Sequence, residues 1–131
     1  MADVAVIAGS ASDQAIIDKV VKVLAQYALS YDMQILSAHR DAEKLDAYVK
    51  ESDAKVFICI AGMSAALPGV IAARTAKPVI GVPVSGKLAG GLDALLSTAQ
   101  MPKGVPVACM AVDGGENAAH MAHRILSLLP D

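Results

Sequence analysis

Short apolar runs alternate with helical patterns along the whole chain, and this alternation restricts the folds that the chain can adopt. Runs rich in β-branched residues predict strands at 4–8, 31–36, 56–60, 78–84 and 105–112. Between them, apolar residues recur at helical spacing and predict helices at 12–28, 41–50, 65 or 68 to 74, 91–99 and 116–129. Strands that are apolar on both faces are typical of a parallel sheet with helices on each side. The predicted fold is a three-layer, doubly wound α/β sheet, flavodoxin-like, with strand order 2-1-3-4-5.

Chain length and charge predict one domain that buries part of its surface in an assembly. The chain has 131 residues without a linker or low-complexity tract, so a single domain over 1–131 is expected. A folded monomer of this size exposes about 6,500 Å². Charged residues make up only 18% of the chain, against a typical value of about 25%. Because so few charges cannot coat a monomer, we expect an oligomer.

Composition also argues against several classes of partner. The net charge of -2 and the aromatic content of 3% disfavour nucleic acid, which needs a basic surface and stacking rings. The uncharged stretch 56–73 is interrupted by Gly62, Ser64 and Pro68, so no membrane partner is expected. The amino terminus lacks a basic region and enters an apolar strand at once, which predicts a cytoplasmic protein without a leader.

Three loops are expected to form a ligand site. In open parallel sheets, ligands bind beyond the carboxyl ends of the strands, where the strand order reverses. The loops at that edge are 9–13 after the first strand, 37–40 after the second and 61–66 after the third. With a 2-1-3 order, the first and third loops flank the crevice and the second lies at its side. All three can therefore contribute to one pocket.

The residue types in these loops indicate a phosphate site with a proton-transfer group. The first loop enters a helix N-terminus, whose free N–H groups favour an anion, and Ser10 and Ser12 add hydroxyl donors. Arg40 offers a planar guanidinium that can grip a phosphate by two hydrogen bonds. His39 stands at a strand end, where an imidazole titrating near neutral pH can move protons. Ordinary helix capping by the serines and a solvent-exposed, inert His39 are the alternatives.

A serine hydrolase is a competing interpretation. Residues 62–66 resemble a G-x-S-x-[GA] elbow. The chain order of an α/β-hydrolase triad is met by Ser64, then Asp93 or Asp113, then His120 or His123. Such hydrolases usually have a larger sheet, and both histidines fall within a helix instead of on a loop.

Other site types fit the loops less well. The first loop has neither the GxxxxGK[ST] nor the GxGxxG pattern of nucleotide-binding loops. A flavodoxin or receiver module would need aromatic residues in the loops or an Asp where Ala61 and Gly62 stand. His120 and His123 share a helix face without a third ligand, so no metal site is expected.

The three loops are part of a longer series of motifs. In chain order these are GSASD (9–13), SAHR (37–40), AG (61–62) with AALPG (65–69), PVIGVPV (78–84), GLDALLS (91–97), QMP (100–102) and GVPVA (104–108). Together they closely resemble the phosphoribosylaminoimidazole carboxylase (PurE) family of purine biosynthesis, and the resemblance covers nearly the whole chain.

The resemblance implies an α/β sandwich assembled as a homo-octamer, with active sites built from neighbouring subunits and no metal or organic cofactor. The implied reaction is that of a mutase, which converts N5-carboxyaminoimidazole ribonucleotide to 4-carboxy-5-aminoimidazole ribonucleotide. The alternative within the family is a carboxylase that adds free CO₂ to 5-aminoimidazole ribonucleotide. Both enzymes place a carboxylate on the same ring carbon.

Carried over by position, the resemblance also implies site roles. The 5′-phosphate would be held by Ser10, Ser12, Ser37 and Arg40. Asp13 would contact the ribose, His39 would move the proton at the ring carbon, and the 61–66 backbone would line a dry pocket for CO₂. With His39 as the catalytic residue, the predicted substrate-binding residues are Gly9, Ser10, Ser12, Asp13, Ser37, Arg40, Ala61, Gly62, Met63, Ser64 and Leu67.

One loop departs from the family pattern. Where the mutase branch usually reads AGGAAHLPG, residues 61–69 read AGMSAALPG, with Ala66 in place of the histidine. The carboxylase branch also lacks that histidine and often has a serine at the position of Ser64, yet it usually reads SAHK where Arg40 stands. Parts of the chain also look like a pyridinium dinucleotide carboxylase, although the cysteine which that relative carries near Gln100 is missing here.

Overall fold

A five-stranded, all-parallel sheet with the order β2-β1-β3-β4-β5 forms the centre of the molecule. The computed structural model describes residues 2–130, so the two end residues of the predicted 1–131 domain lie outside it. The strands are β1 (Val4–Ala8), β2 (Tyr31–Ile35), β3 (Val56–Ala61), β4 (Val79–Pro83) and β5 (Ala108–Cys109). The predicted fold class and strand order are confirmed.

Helices cover both faces of the sheet. They are α1 (Gln14–Gln26), preceded by a 3-10 turn (Ala11–Asp13), α2 (Ala42–Glu51), α3 (Leu67–Ala72), α4 (Leu92–Ala99) and α5 (Gly115–Leu126). Buried residues of α1 and α5 pack with Val4, Val6 and Ala8 on one face. Those of α2, α3 and α4 pack with Ala5 and Ile7 on the other. The alternation along β1 therefore produces two cores and the three layers that the sequence predicts.

The three central strands are buried along their whole length. Every residue of β1, β3 and β4 is buried, and the register places Val6 beside Ile58 and Ile58 beside Ile80. Neighbouring parallel strands with helices on both faces leave no solvated side, so each residue of such a strand must be apolar or small. This packing fixes where the carboxyl ends of these strands lie.

Both edge strands differ from the prediction. β2 is largely exposed, with Tyr31, Met33 and Ile35 at the surface, so it is not buried on both faces as the sequence predicts for all five strands. β5 comprises only Ala108 and Cys109 of the predicted 105–112. Pro106 lacks the N–H that a ladder requires, and an edge strand has a neighbour on one side only.

The helices α1 and α5 pack closely against each other at Gly115. A Cβ added to Gly115 would lie 2.9 Å from the Ile16 carbonyl oxygen and 3.0 Å from Val20 Cγ2, so glycine is required at this contact. The first turns of both helices are thereby held together at the carboxyl edge of the sheet. Within residues 2–130, no helix is long and apolar enough to cross a membrane.

Candidate active site

A pocket of about 440 Å³ opens at the carboxyl edge of the sheet. It lies at the ends of β1, β2, β3 and β4, where the order 2-1-3-4 makes these strands neighbours. All of the predicted site residues line this one pocket, together with residues that the sequence analysis did not select. The lining residues are Gly9, Ser10, Ser12, Asp13, Ser37, Ala38, His39, Arg40, Ala61, Gly62, Met63, Ser64, Ala65, Ala66, Leu67, Val84, Ser85 and Gly86.

The loop after β1 presents two hydroxyl groups that are bonded to each other. Ser10 Oγ accepts the Ser12 N–H at 3.2 Å and lies 2.9 Å from Ser12 Oγ. Ser10 has an extended backbone and caps the 3-10 turn that leads into α1. Capping and a pocket position therefore coexist at Ser10, and the two sequence interpretations do not exclude each other.

The loop after β2 is held by side-chain hydrogen bonds. The Asp41 carboxylate accepts the Ser37 N–H at 2.9 Å, and Ser37 Oγ accepts the Arg40 N–H at 3.2 Å. The Arg40 guanidinium donates to the Gly9 carbonyl oxygen at 3.2 Å and so ties this loop to the loop after β1. In residues 2–130, the His39 imidazole makes no hydrogen bond or ion pair, and it is exposed at the pocket. Its ring nitrogens are free to meet a ligand.

The loop after β3 is shaped by its backbone. Met63 and Ala65 have φ angles of 52° and 43°, in the left-handed region that non-glycine residues disfavour. The turn is closed by a hydrogen bond from the Ala65 N–H to the Gly62 carbonyl oxygen at 2.9 Å. As a result Ala65 is buried, whereas the Met63 side chain is 79% exposed and Ser64 faces solvent. Strain of this kind is concentrated at functional sites.

The fourth wall of the pocket was missed by the sequence analysis. Val84, Ser85 and Gly86 follow β4 and border the cavity. The signal was present, because β4 ends at the same edge of the sheet as the other three strands. The sequence analysis placed three loops at this edge and did not include the segment that follows β4.

Asp13 brings a buried carboxyl group to the pocket wall. Its residue is 8% exposed. Burial raises the pKa of Asp13, a hydrogen bond with the Ser10 backbone lowers it, and the negative charge of Asp113 raises it further. The net direction is upward. A raised pKa allows this carboxyl to hold a proton at higher pH than an exposed Asp does.

The structure does not assemble the hydrolase triad. Tyr27 Oη lies 2.6 Å from His120 Nδ1, and the Tyr27 ring stacks on His123 with a centroid distance of 3.7 Å. Tyr27 follows the last residue of α1, about 20 Å along the helix from the pocket. Ser64 lies at the pocket end, so the histidines cannot serve it, and the serine hydrolase interpretation is wrong.

Comparison with known proteins identifies the family of the chain. The family model described as AIR carboxylase matches residues 3–130. The chain belongs to this family. The N5-carboxyaminoimidazole ribonucleotide mutase of Methanocaldococcus jannaschii is 51% identical over 95% of the chain and 79% of its own length. The phosphoribosylaminoimidazole carboxylase of Candida glabrata is 43% identical over 95% of the chain but only 22% of its own length.

A solved relative has the same fold. The crystal structure of PurE from Treponema denticola superimposes with a TM-score of 0.88 and 32% sequence identity, over 97% of this chain and 81% of that one. The predicted relationship to the PurE family is thus confirmed, and the chain is an enzyme of the AIR carboxylase family.

Proposed function

We propose that this enzyme converts N5-carboxyaminoimidazole ribonucleotide to 4-carboxy-5-aminoimidazole ribonucleotide in purine biosynthesis. The observation that carries the proposal is one pocket with an arginine and two serine hydroxyls at one side and an exposed histidine beside them. Relatives named as mutases, at 51% and 46% identity over nearly the whole chain, support this branch of the family.

The substrate would bind through its phosphate. Arg40 and the hydroxyls of Ser10, Ser12 and Ser37 supply donors for the phosphate oxygens at the pocket end of α1. Asp13 would accept from the ribose hydroxyls, and its burial favours such neutral donors over water. Arg40 already joins two loops through Gly9, so a phosphate bound there would contact both.

His39 would act at the ring carbon. Loss of the carboxylate from the exocyclic nitrogen releases CO₂, which then forms a bond with the neighbouring ring carbon. That carbon becomes tetrahedral, and its proton must leave to restore the aromatic ring. The imidazole of His39 would accept this proton and return it to the exocyclic nitrogen, so the reaction needs no net proton. The buried residues Ala61, Ala65 and Leu67 would limit the escape of CO₂.

A CO₂-dependent carboxylase is the second candidate, because Ala66 and Ser64 depart from the mutase loop. The decisive experiment incubates purified protein with N5-carboxyaminoimidazole ribonucleotide, and separately with 5-aminoimidazole ribonucleotide plus bicarbonate. We expect faster formation of the carboxylated product from the first substrate. Faster product from the second would assign the carboxylase branch, and no product from either would refute both.

We further propose a cytoplasmic homo-octamer. Large apolar side chains remain exposed on β2 and on α4, where Leu92 and Leu96 lie about one turn apart and are 45% and 51% exposed. Exposed apolar side chains at neighbouring positions are typical of interfaces between subunits. Light scattering coupled to size-exclusion chromatography should give eight times the monomer mass, and a monomer mass would refute the assembly.

A further inference from the structure

The segment 84–91 borders the pocket although its own packing is sparse. Val84, Ser85 and Gly86 line the cavity, while all of residues 85–90 are exposed. An exposed segment with several glycines loses much conformational entropy when it is held in one place. A specific contact is needed to keep this segment at the pocket.

Asp113 supplies that contact. Its Oδ1 accepts the Ser85 N–H at 2.8 Å, and its own N–H donates to the Pro83 carbonyl oxygen at 2.8 Å. The two hydrogen bonds therefore bracket Val84 and fix the chain as it leaves β4. A carboxylate that accepts a backbone N–H makes a stronger hydrogen bond than a neutral acceptor does.

The far end of the segment packs onto its start. Gly91 has a φ of 110°, and a Cβ added there would lie 2.9 Å from Ser85 Cα and 3.0 Å from the Val84 carbonyl oxygen. The Gly91 N–H also donates to the Leu88 carbonyl oxygen at 2.9 Å. Residues 84–91 thus form a closed loop, and a contact that holds Ser85 holds the whole loop.

Asp113 is itself attached to rigid parts of the fold. Its φ of 60° is a left-handed conformation, which Asp and Asn tolerate better than most residues do. Its carbonyl oxygen accepts the Gly115 N–H at 3.0 Å, and Gly115 is the residue that packs α5 against α1.

We infer that Asp113 is a positioning residue of the active site: its carboxylate holds Ser85, and through it residues 84–91, in the arrangement that binds substrate. The kinetic part of this inference rests on the proposed function. The hold on Ser85 is a property of the fold and can be tested without substrate.

Two variants separate the carboxylate from the backbone strain. Asp113→Gly removes the acceptor but suits a positive φ, so the fold is not strained by the change. Asp113→Asn keeps an acceptor oxygen for the Ser85 N–H and also tolerates a positive φ. The first variant should release the loop, and the second should retain it.

Limited trypsin digestion measures the hold directly. Lys87 lies in the exposed loop, and Lys103 lies in an exposed turn elsewhere and serves as the internal control. We expect cleavage after Lys87 to be at least fivefold faster in Asp113→Gly than in the wild type, with Asp113→Asn close to the wild type. Cleavage after Lys103 should be equal in all three proteins. Equal cleavage after Lys87 would overturn the inference.

Steady-state kinetics with N5-carboxyaminoimidazole ribonucleotide test the consequence for the site. We expect KM to rise about tenfold in Asp113→Gly with kcat within threefold, and Asp113→Asn to restore KM. An Asp113→Gly enzyme with unchanged KM, or an Asp113→Asn enzyme as impaired as Asp113→Gly, would overturn the positioning role. If the wild type turns over no substrate, the proposed function fails. The digestion result still decides whether Asp113 restrains residues 84–91.

Discussion

The loop after β2 and the loop after β3 deliver side chains to the same pocket by different physical means. The first is held by a hydrogen bond from the Ser37 N–H to the Asp41 carboxylate and by one from the Arg40 N–H to Ser37 Oγ, and none of these residues has a positive φ. The second has no such side-chain bonds and instead places Met63 and Ala65 at positive φ. Polar side-chain contacts fix the conformation of the first loop, whereas left-handed backbone conformations fix that of the second.

This difference predicts a division of labour. Hydrogen-bonded polar side chains that remain partly free can bind and react, so the chemistry should belong to the loop after β2. A strained apolar turn is suited to shaping a wall that excludes water. Substitutions in the first loop should therefore change catalysis and binding, whereas those in the second should change stability more than turnover.

The largest effect is expected at His39. His39→Asn removes the only proposed proton-transfer group, and kcat should fall by about 10² to 10⁴ because general acid–base catalysis contributes that much. Ligand affinity, measured by calorimetry with the product, should change little. Ser64→Ala in the other loop is the matched control and should retain kcat within about tenfold. Undiminished turnover in His39→Asn would remove this residue from the proposed mechanism.

A smaller effect on binding is expected at Arg40. Arg40→Met removes the charged donor while keeping a long side chain, and KM should rise by about 10- to 100-fold, as for a lost charge-assisted hydrogen bond. Arg40→Lys keeps the positive charge but lacks the paired N–H donors of the planar guanidinium, so it should recover only part of the affinity. Initial-rate kinetics on both variants measure this. Equal KM in Arg40→Met and the wild type would show that the phosphate binds elsewhere.

The polar contacts of the loop after β2 should contribute to the free energy of unfolding of the protein. Asp41→Ala leaves the Ser37 N–H, which is partly buried, without its acceptor and should cost about 1–2 kcal/mol. Asp41→Asn retains an acceptor and should cost less. Urea denaturation monitored by circular dichroism gives both values, and equal stability of Asp41→Ala and the wild type would break the comparison between the loops.

The strained loop should respond in the opposite direction. Met63→Gly removes the strain of a left-handed residue, which costs about 1–2 kcal/mol in the folded protein. It also increases the conformational entropy of the unfolded chain, which lowers stability by about 0.5–1 kcal/mol. The protein should therefore gain roughly 0.5–1 kcal/mol in the same urea assay. Met63→Ala keeps the strain and provides the control. A loss of stability in Met63→Gly would mean that this turn is not strained.

The smallest expected effect is a change in how the free energy of unfolding depends on pH when Asp13 is substituted. Because its pKa is raised in the folded protein, the native state binds more protons than the unfolded chain as pH rises above the ordinary carboxyl value. The contribution of Asp13 to stability is therefore present at acidic pH and is lost as pH rises through the native pKa. Asp13→Asn should flatten this dependence in denaturation measured from pH 3 to 7, and an unchanged slope would contradict it.

Much of the fold could be predicted from local pattern. The runs at 4–8 and 56–60 coincide with β1 and nearly with β3, since a strand buried on both faces must be apolar throughout. The edges could not be predicted in the same way. β2 has apolar residues that reach solvent, and β5 shrinks to two residues, because pairing on one side only depends on the neighbours that the fold provides.

The parts of the candidate site that could be predicted are those marked by a reactive or charged residue type next to a predicted strand. Histidine, arginine and serines at strand ends marked three of the four walls of the pocket. The resemblance to the PurE family implied which part of the substrate each of these residues would contact. The wall at Ser85 and Gly86 carries no titratable group and gave no chemical signal. Asp113 was noticed only as a member of a triad that the fold does not form, because its partner Ser85 lies 28 residues away.

Sequence alone determined the three central strands, the five helices in outline, the order of the strands in the sheet and the polar residues that stand at the carboxyl ends. Period and residue type are local properties, and the rules of parallel connection leave few arrangements for them. The tertiary structure decided that a fourth segment joins the three predicted loops at the pocket, which strand faces solvent and which carboxylate holds which segment. Those outcomes depend on contacts between residues distant in sequence, whose geometry exists only once the two cores have packed.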